Sequence, residues 1–301
     1  MKSNRNKTLS LSEEETRLAL GRCVPLCGLK GSCDAVVNAD FFEAAKFMEQ
    51  GSVDLLIVDP PYNLTKNYGG KVFKAMGARE YADFTRKWIE ACLPLLKPTA
   101  SVYVCCDYLS GIAIAPVLCE YFDVRSRITW EREKGRGAKK NWKNSLEDVW
   151  FCTVSDDYTF NRDAVKIRRK VIAPYRENGA AKDWEEADGV KFRDTCPSNF
   201  WGDITVPYWS MPENTPHPTQ KPEKLIAKLV LASSNAGDLV FDPFAGSGTT
   251  AVVAKKLGRR FVAVEQNPDY CALAIARLDR AGSDKRIQGF DGVRFYERNY
   301  K

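Results

Sequence analysis

Apolar positions in this chain come in short blocks whose period switches between two and 3.6. Residues 53–58 form a brief apolar run that stops at Asp59-Pro60-Pro61, the pattern of a buried strand ended by proline. Tyr81, Phe84, Trp88, Cys92 and Leu95 recur at helical spacing and stop before Lys97-Pro98. Residues 101–106 read as a strand, 110–121 as a helix interrupted or started near Pro116, and 124–130 as another strand. From 131 to 216 the period is lost, apart from a strand at 149–154. This stretch is polar, charged and rich in Trp, Asn, Gly and Pro, and it reads as an inserted, less regular lobe. Beyond Pro222 regular alternation returns: helix 223–233, strand 239–241, helix 249–257, strand 261–264 and helix 268–281. Strands alternating with helices at both ends predict one open α/β sheet with helices on both faces.

Size and composition narrow this only slightly. A chain of 301 residues can hold one large domain, or one domain with a sizeable insertion. No apolar run approaches the ~20 residues of a membrane span, and the polar start lacks a signal-peptide core, so a soluble cytoplasmic protein with no membrane partner is expected. The ten cysteines are expected as reduced thiols in such a compartment. Cys23, Cys27 and Cys33 cluster, but their spacing fits no common zinc site, and no metal is expected. Net charge is +6, and residues 125–143 alone hold eight basic side chains against Glu131 and Glu133, a surplus equal to the whole. Such a patch suits a polyanion; a solvated loop has the same composition.

The cofactor signal is the turn Asp242-Pro243-Phe244-Ala245-Gly246-Ser247-Gly248-Thr249-Thr250-Ala251, which leaves an apolar strand and opens a helix. It satisfies the G-x-G-x-x-G/A spacing, and Glu265 lies 19 residues beyond Gly246 at the end of the next strand. A nicotinamide dinucleotide is one reading. Yet a pyrophosphate wants a positive helix terminus, and Asp242 puts a carboxylate beside it. S-adenosylmethionine has no phosphate and carries an α-ammonium that Asp242 could accept; Glu265 suits ribose hydroxyls with either cofactor.

Asp59-Pro60-Pro61-Tyr62 follows its strand at the sheet edge, where α/β proteins bind ligands. A loop in which proline merely ends a strand needs none of the chemistry these residues offer. An exocyclic base amine is a poor nucleophile because its lone pair is delocalised into the ring. Asp59 accepting one N–H and the Pro60 carbonyl accepting the other would draw the nitrogen towards sp³ geometry. The Pro60-Pro61 pair fixes that carbonyl, and Tyr62 offers a face on which an extruded base can stack.

With these motifs in this order, the sequence resembles the DNA amino-methyltransferases of the β arrangement, over roughly residues 36–281. The resemblance implies a Rossmann-like methyltransferase domain with a mixed, mostly parallel sheet and an inserted target-recognition region. It divides the chain into an extension (1–30), a catalytic half (31–130), a target-recognition region (131–216) and a cofactor-binding half (217–301). It implies Asp59, Pro60, Pro61 and Tyr62 as catalytic. Asp242, Phe244, Ala245, Gly246, Ser247, Gly248, Thr249, Glu265 and Gln266 would hold S-adenosylmethionine. His217-Pro218-Thr219-Gln220-Lys221-Pro222 is a further family element, with Lys221 offered to the cofactor carboxylate. Asp40 is implied for the cofactor adenine, and a helix cap is its competing role.

No proline precedes a cysteine here, which sets aside methylation at cytosine C5. By the resemblance, Asp59 at the head of the tetrapeptide favours adenine N6 over cytosine N4. An RNA methyltransferase and an NAD-dependent dehydrogenase remain the alternatives. DNA is the expected partner, with Lys134, Arg136, Lys139, Lys140 and Lys143 on its phosphates; a homodimer and an accompanying restriction endonuclease are left open. The strands at 55–58 and 239–241 must be parallel neighbours if both motifs serve one cleft.

Overall fold

The computed structural model describes residues 5–68, 70–132, 140–172, 174–187 and 189–298. Eight strands form the main sheet: β1 (Ala35–Asn38), β2 (Val53–Val58), β3 (Leu96–Cys106), β4 (Asp123–Glu131), β5 (Leu146–Thr153), β6 (Phe200–Trp201), β7 (Leu239–Asp242) and β8 (Arg260–Glu265). Their spatial order is β1-β8-β7-β2-β3-β5-β4-β6. Pairing is parallel from β1 through β3 and between β4 and β6, whereas β5 runs antiparallel to both β3 and β4. The two motif strands are parallel neighbours as required, with Val240 opposite Leu55 and Phe241 opposite Leu56.

Among the described residues seven α-helices accompany the sheet: α1 (Glu13–Leu20), α2 (Phe41–Ala44), α3 (Ala78–Cys92), α4 (Tyr108–Tyr121), α5 (Glu223–Ser233), α6 (Thr249–Lys256) and α7 (Pro268–Ser283). Period-two alternation sorts each central strand between two cores. Leu55 and Ile57 join α5, α6 and α7 on one face, while Leu56 and Val58 join α2, α3 and α4 on the other. A strand covered on both sides has no polar face, which is why 53–58 reads as a continuous apolar run.

Several elements differ from the pattern reading. α4 runs through Pro116 without a break; the carbonyl that proline leaves unpaired belongs to Ile112, which is 68% exposed, so solvent can satisfy it. α1 lies in the unassigned extension and is fixed by a capping box, Ser12 and Glu15 each bonding the other's backbone N–H. A bidentate Arg22–Asp279 pair ties the segment following α1 to α7.

The middle segment is more regular than its composition suggests. β5 belongs to the main sheet, so the division at 130 cuts the β4–β5 hairpin. Further on, Ile167–Lys170, Val190–Thr195 and Glu185–Ala187 form a second sheet, completed by Phe295–Tyr296 from the tail. These strands alternate charge with little apolar content, so no hydrophobic period announces them. Asp203 docks the segment on α5 by receiving Lys224 and Lys228 at 2.7 Å each, all three buried or nearly so. Among the described residues no helix is long and apolar enough to cross a membrane.

Packing of α6 on α7 depends on one missing side chain. Gly248, at φ +76°, precedes α6, and a Cβ there would stand 2.5 Å from the Ala274 Cβ. Gly258 has a similar φ of +74° but open space around it. Gly248→Ala is therefore expected to destabilise the protein by about 2 kcal/mol more than Gly258→Ala in urea unfolding, since both strain the backbone and only the first overpacks. Equal losses would show that the helices separate freely.

Candidate active site

The end of β2 delivers Asp59 to a buried cluster of charges. Lys221 Nζ donates to Asp59 Oδ1 at 2.6 Å and Oδ2 at 2.7 Å, and to the Tyr62 hydroxyl at 3.1 Å. That hydroxyl donates to Glu147 Oε2 at 3.1 Å, and Arg132 Nη1 holds Glu147 Oε1. Burial works against the Lys221 ammonium, but Asp59 and Glu147 outweigh it and hold the group above the ordinary lysine value. Burial, with both carboxylates, pushes the Tyr62 phenol well above its usual range, so it stays a hydroxyl.

The peptide after Asp59 is clamped as well. Tyr81 donates its hydroxyl to the Pro61 carbonyl at 2.9 Å, and Asn63 is bonded by Ser110 and by both polar backbone groups of Met76. α3 and α4 thus supply the supports that keep a proline-rich loop in one shape.

The glycine turn after β7 is built from below. Asp242 is buried and accepts the Phe244 N–H at 3.1 Å. Glu265 accepts the Gly246 N–H at 2.9 Å and the Asn267 N–H at 2.7 Å, which binds the ends of β7 and β8 together. Arg277, buried in α7, donates to the Ser247 carbonyl at 3.0 Å and the Thr249 hydroxyl at 2.9 Å, and pairs with Glu223 at 3.0 Å. Glu223 also takes Lys256 at 2.6 Å. Gly246, at φ +53°, lies against His217: a Cβ there would be 2.8 Å from its Nε2. Burial and Lys221 push His217 down to about 3, so the ring is neutral, and its Nδ1 accepts the Thr219 N–H.

Both turns open on one cavity of about 280 Å³. Its walls include Asp40, Asp59, Pro60, Pro61, Tyr62, Lys221, Phe244, Gly246, Glu265 and Gln266, so these sequence-assigned residues come together. Asp242, Ala245, Ser247, Gly248 and Thr249 are not in the wall; they shape the turn from behind. Asp40 lines the cavity and also caps α2 through the Phe42 N–H, the competing role weighed for it. Of the basic residues assigned to nucleic acid, Lys134, Arg136 and Lys139 lie outside the described residues, while Lys140 and Lys143 are exposed. Three others of that basic run have carboxylate neighbours: Arg125 with Asp156, Arg127 with Asp148 at 3.8 Å, and Arg132 with Glu147.

Sequence reasoning missed Glu147, Arg132 and Arg277 as parts of this site. Glu147 had a signal, because it stands in period with the buried Val149 and Phe151 on β5, where an acid needs a reason. Arg277 had none beyond its place in a helical run.

Residues 53–276 match a family described as DNA methylase, the N6 and N4 methyltransferases. The type II methyltransferase M.HpaI of Haemophilus parainfluenzae is 34% identical over 263 residues, covering 86% of this chain and 76% of the relative. The DNA adenine methyltransferase YhdJ of Escherichia coli K12 is 35% identical over 255 residues, covering 82% and 83%. Among solved structures, the cytosine-N4-specific PvuII DNA methyltransferase shares the fold with a TM-score of 0.63 at 18% identity, over 84% of this chain and 91% of that one. A match spanning both motif strands, and the cleft those strands build, lead to one conclusion: this chain belongs to the DNA methylase family of amino-methyltransferases.

Proposed function

We propose that the chain methylates N6 of an adenine extruded from DNA, with S-adenosylmethionine as the donor. The observation that carries this is the shared cavity, where the Asp59 carboxylate and the Gly246 and Glu265 turns meet. The cofactor supplies an electrophilic methyl group on sulfur. Asp59 and the Pro60 carbonyl accept the two N–H bonds of the target amine, and Asp59 takes the proton the nitrogen sheds. Tyr81, by holding the neighbouring carbonyl, keeps the acceptors in register. The Tyr62 ring stacks on the extruded base.

The pocket fits the donor. Glu265 stands in the cavity wall, where its carboxylate would accept from ribose hydroxyls. Asp40, Phe244 and Gln266 line the part of the cavity assigned to an adenine. Adenine is favoured over cytosine because Asp59 heads the tetrapeptide and because a relative 35% identical is named an adenine methyltransferase. Lys140 and Lys143, both exposed, are assigned to DNA phosphates.

Digestion of DNA treated with enzyme and labelled donor is expected to yield N6-methyladenine; N4-methylcytosine would overturn the base assignment. Asp59→Ala is expected to lower methyl transfer by about a thousandfold while donor binding, measured by calorimetry, persists.

Lys140→Ala combined with Lys143→Ala should reduce the log–log salt slope of DNA binding by about 1.8 and leave the methylated sequence unchanged. An unaltered slope would place these lysines away from phosphate.

Asp242 gives a pH signature. Burial pushes its carboxyl up to about 7, against bonds from Thr250 and Phe244 that favour ionisation. Its folded value lies above the free one, so the protonated form stabilises the fold at acid pH, and that contribution is lost as pH rises through about 7. Without ligand, the melting temperature is expected to fall between pH 6 and 8, and Asp242→Asn to flatten the fall. If the Asp242 carboxylate takes up the cofactor ammonium, S-adenosylhomocysteine will raise the melting temperature more at pH 8 than at pH 6 in the unaltered protein. An identical slope in the variant would show that another group titrates.

A further inference from the structure

The charges bonded around Asp59 are Asp59 and Glu147 against Lys221 and Arg132, with Lys66 a further cation in electrostatic reach of all four. All three ammonium protons of Lys221 have acceptors in the two Asp59 oxygens and the Tyr62 hydroxyl. Glu147 Oε2 stands a little further off, 3.5 Å from the same nitrogen. It is not the closest contact of Lys221, yet it is held in place from two sides, by Tyr62 on Oε2 and by Arg132 on Oε1. Lys221 is 7% exposed and Glu147 6%, so neither can readily replace its partner with bulk water.

This arrangement conflicts with a free role for Asp59. Its oxygens must accept from the target amine, and both already accept from Lys221. A carboxylate has lone pairs for further donors, so access is not the obstacle. The obstacle is electrostatic: an ammonium at 2.6 Å blunts the pull of the carboxylate on the amine and repels positive charge growing on the nitrogen. Within the cluster, the one direction in which Lys221 gains another anion by leaving Asp59 is towards Glu147.

We propose that Glu147 is a positioning residue, the second anion to which Lys221 withdraws when Asp59 engages the target amine, with the Tyr62 hydroxyl as the acceptor common to both positions. One cation passes between two carboxylates; no covalent bond forms and no proton is transferred in that step. The timing of the exchange rests on the methyl-transfer reading above, but the sharing of Lys221 does not.

Two measurements test this. The first uses the cofactor-free protein and a thermal-unfolding cycle of Asp59→Asn, Glu147→Gln and the double variant. Each single variant leaves Lys221 one anion and shifts the midpoint modestly. The double variant leaves a buried ammonium with neither, and its midpoint is expected about 5 °C below the sum of the single shifts. A double variant that fails to fold while both singles do is the same result in extreme form, and additive shifts overturn the proposal. The second measures turnover at saturating cofactor and DNA. Glu147→Gln is expected to lower kcat about a hundredfold, with the Kd for DNA unchanged within about twofold because phosphate contacts set it. Glu147→Asp should recover part of the loss, and Lys221→Met added to Glu147→Gln should raise kcat above that of Glu147→Gln alone by removing the stranded cation. Wild-type turnover in Glu147→Gln, or no gain from the added change, overturns the proposal. If the wild-type protein methylates no DNA, the functional reading fails, and the unfolding cycle still decides whether the two carboxylates share Lys221.

Discussion

Parallel pairing of β2 with β7 is the constraint from which the site follows. Val240 opposite Leu55 and Phe241 opposite Leu56 align two strands from distant parts of the chain. Because the strands point the same way, their exits share one edge of the sheet, and Asp59 and the glycine turn must leave it side by side. A shift of one residue in either strand would exchange the two core faces, since Leu55 and Leu56 belong to different clusters. The apolar packing that fixes the register therefore also fixes the distance between the two halves of the chemistry.

Charge buried behind this edge supplies shape. Arg277, Glu223 and Lys256 link α7, α5 and α6, and the guanidinium also reaches Ser247 and Thr249. Such groups add little stability compared with an apolar core of equal volume. They give direction, because a planar donor accepts partners only at set angles. The turn is aimed by that fork, as the proline loop is aimed by Tyr81.

Legibility in the sequence followed the apolar period. β2, α5, β7, α6, β8 and α7 were readable because they are strands buried on both faces or helices whose apolar positions are buried, α5 at nearly every residue. Asp59, Gly246 and Glu265 were readable because they sit where those periods end. Lys221 was legible as a residue, Glu147 was not read, and the pair was out of reach, since 74 positions separate them and only the antiparallel entry of β5 brings them together. The second sheet was hidden for another reason. Arg168 there pairs with Asp194 across strands and lies 3.7 Å over the Phe192 ring, so polar contacts replace the hydrophobic period.

Phe295–Tyr296 carries a consequence for any exchange of the middle segment. This short tail strand pairs with Ile167–Lys170 of the middle segment, Phe295 opposite Ile167. The middle segment is thus not a cassette that can be exchanged by cutting at its two ends. A transplant lacking the tail would present an open strand edge, a template for pairing with other chains. A graft of residues 167–195 therefore has to carry the tail strand with it if the second sheet is to close.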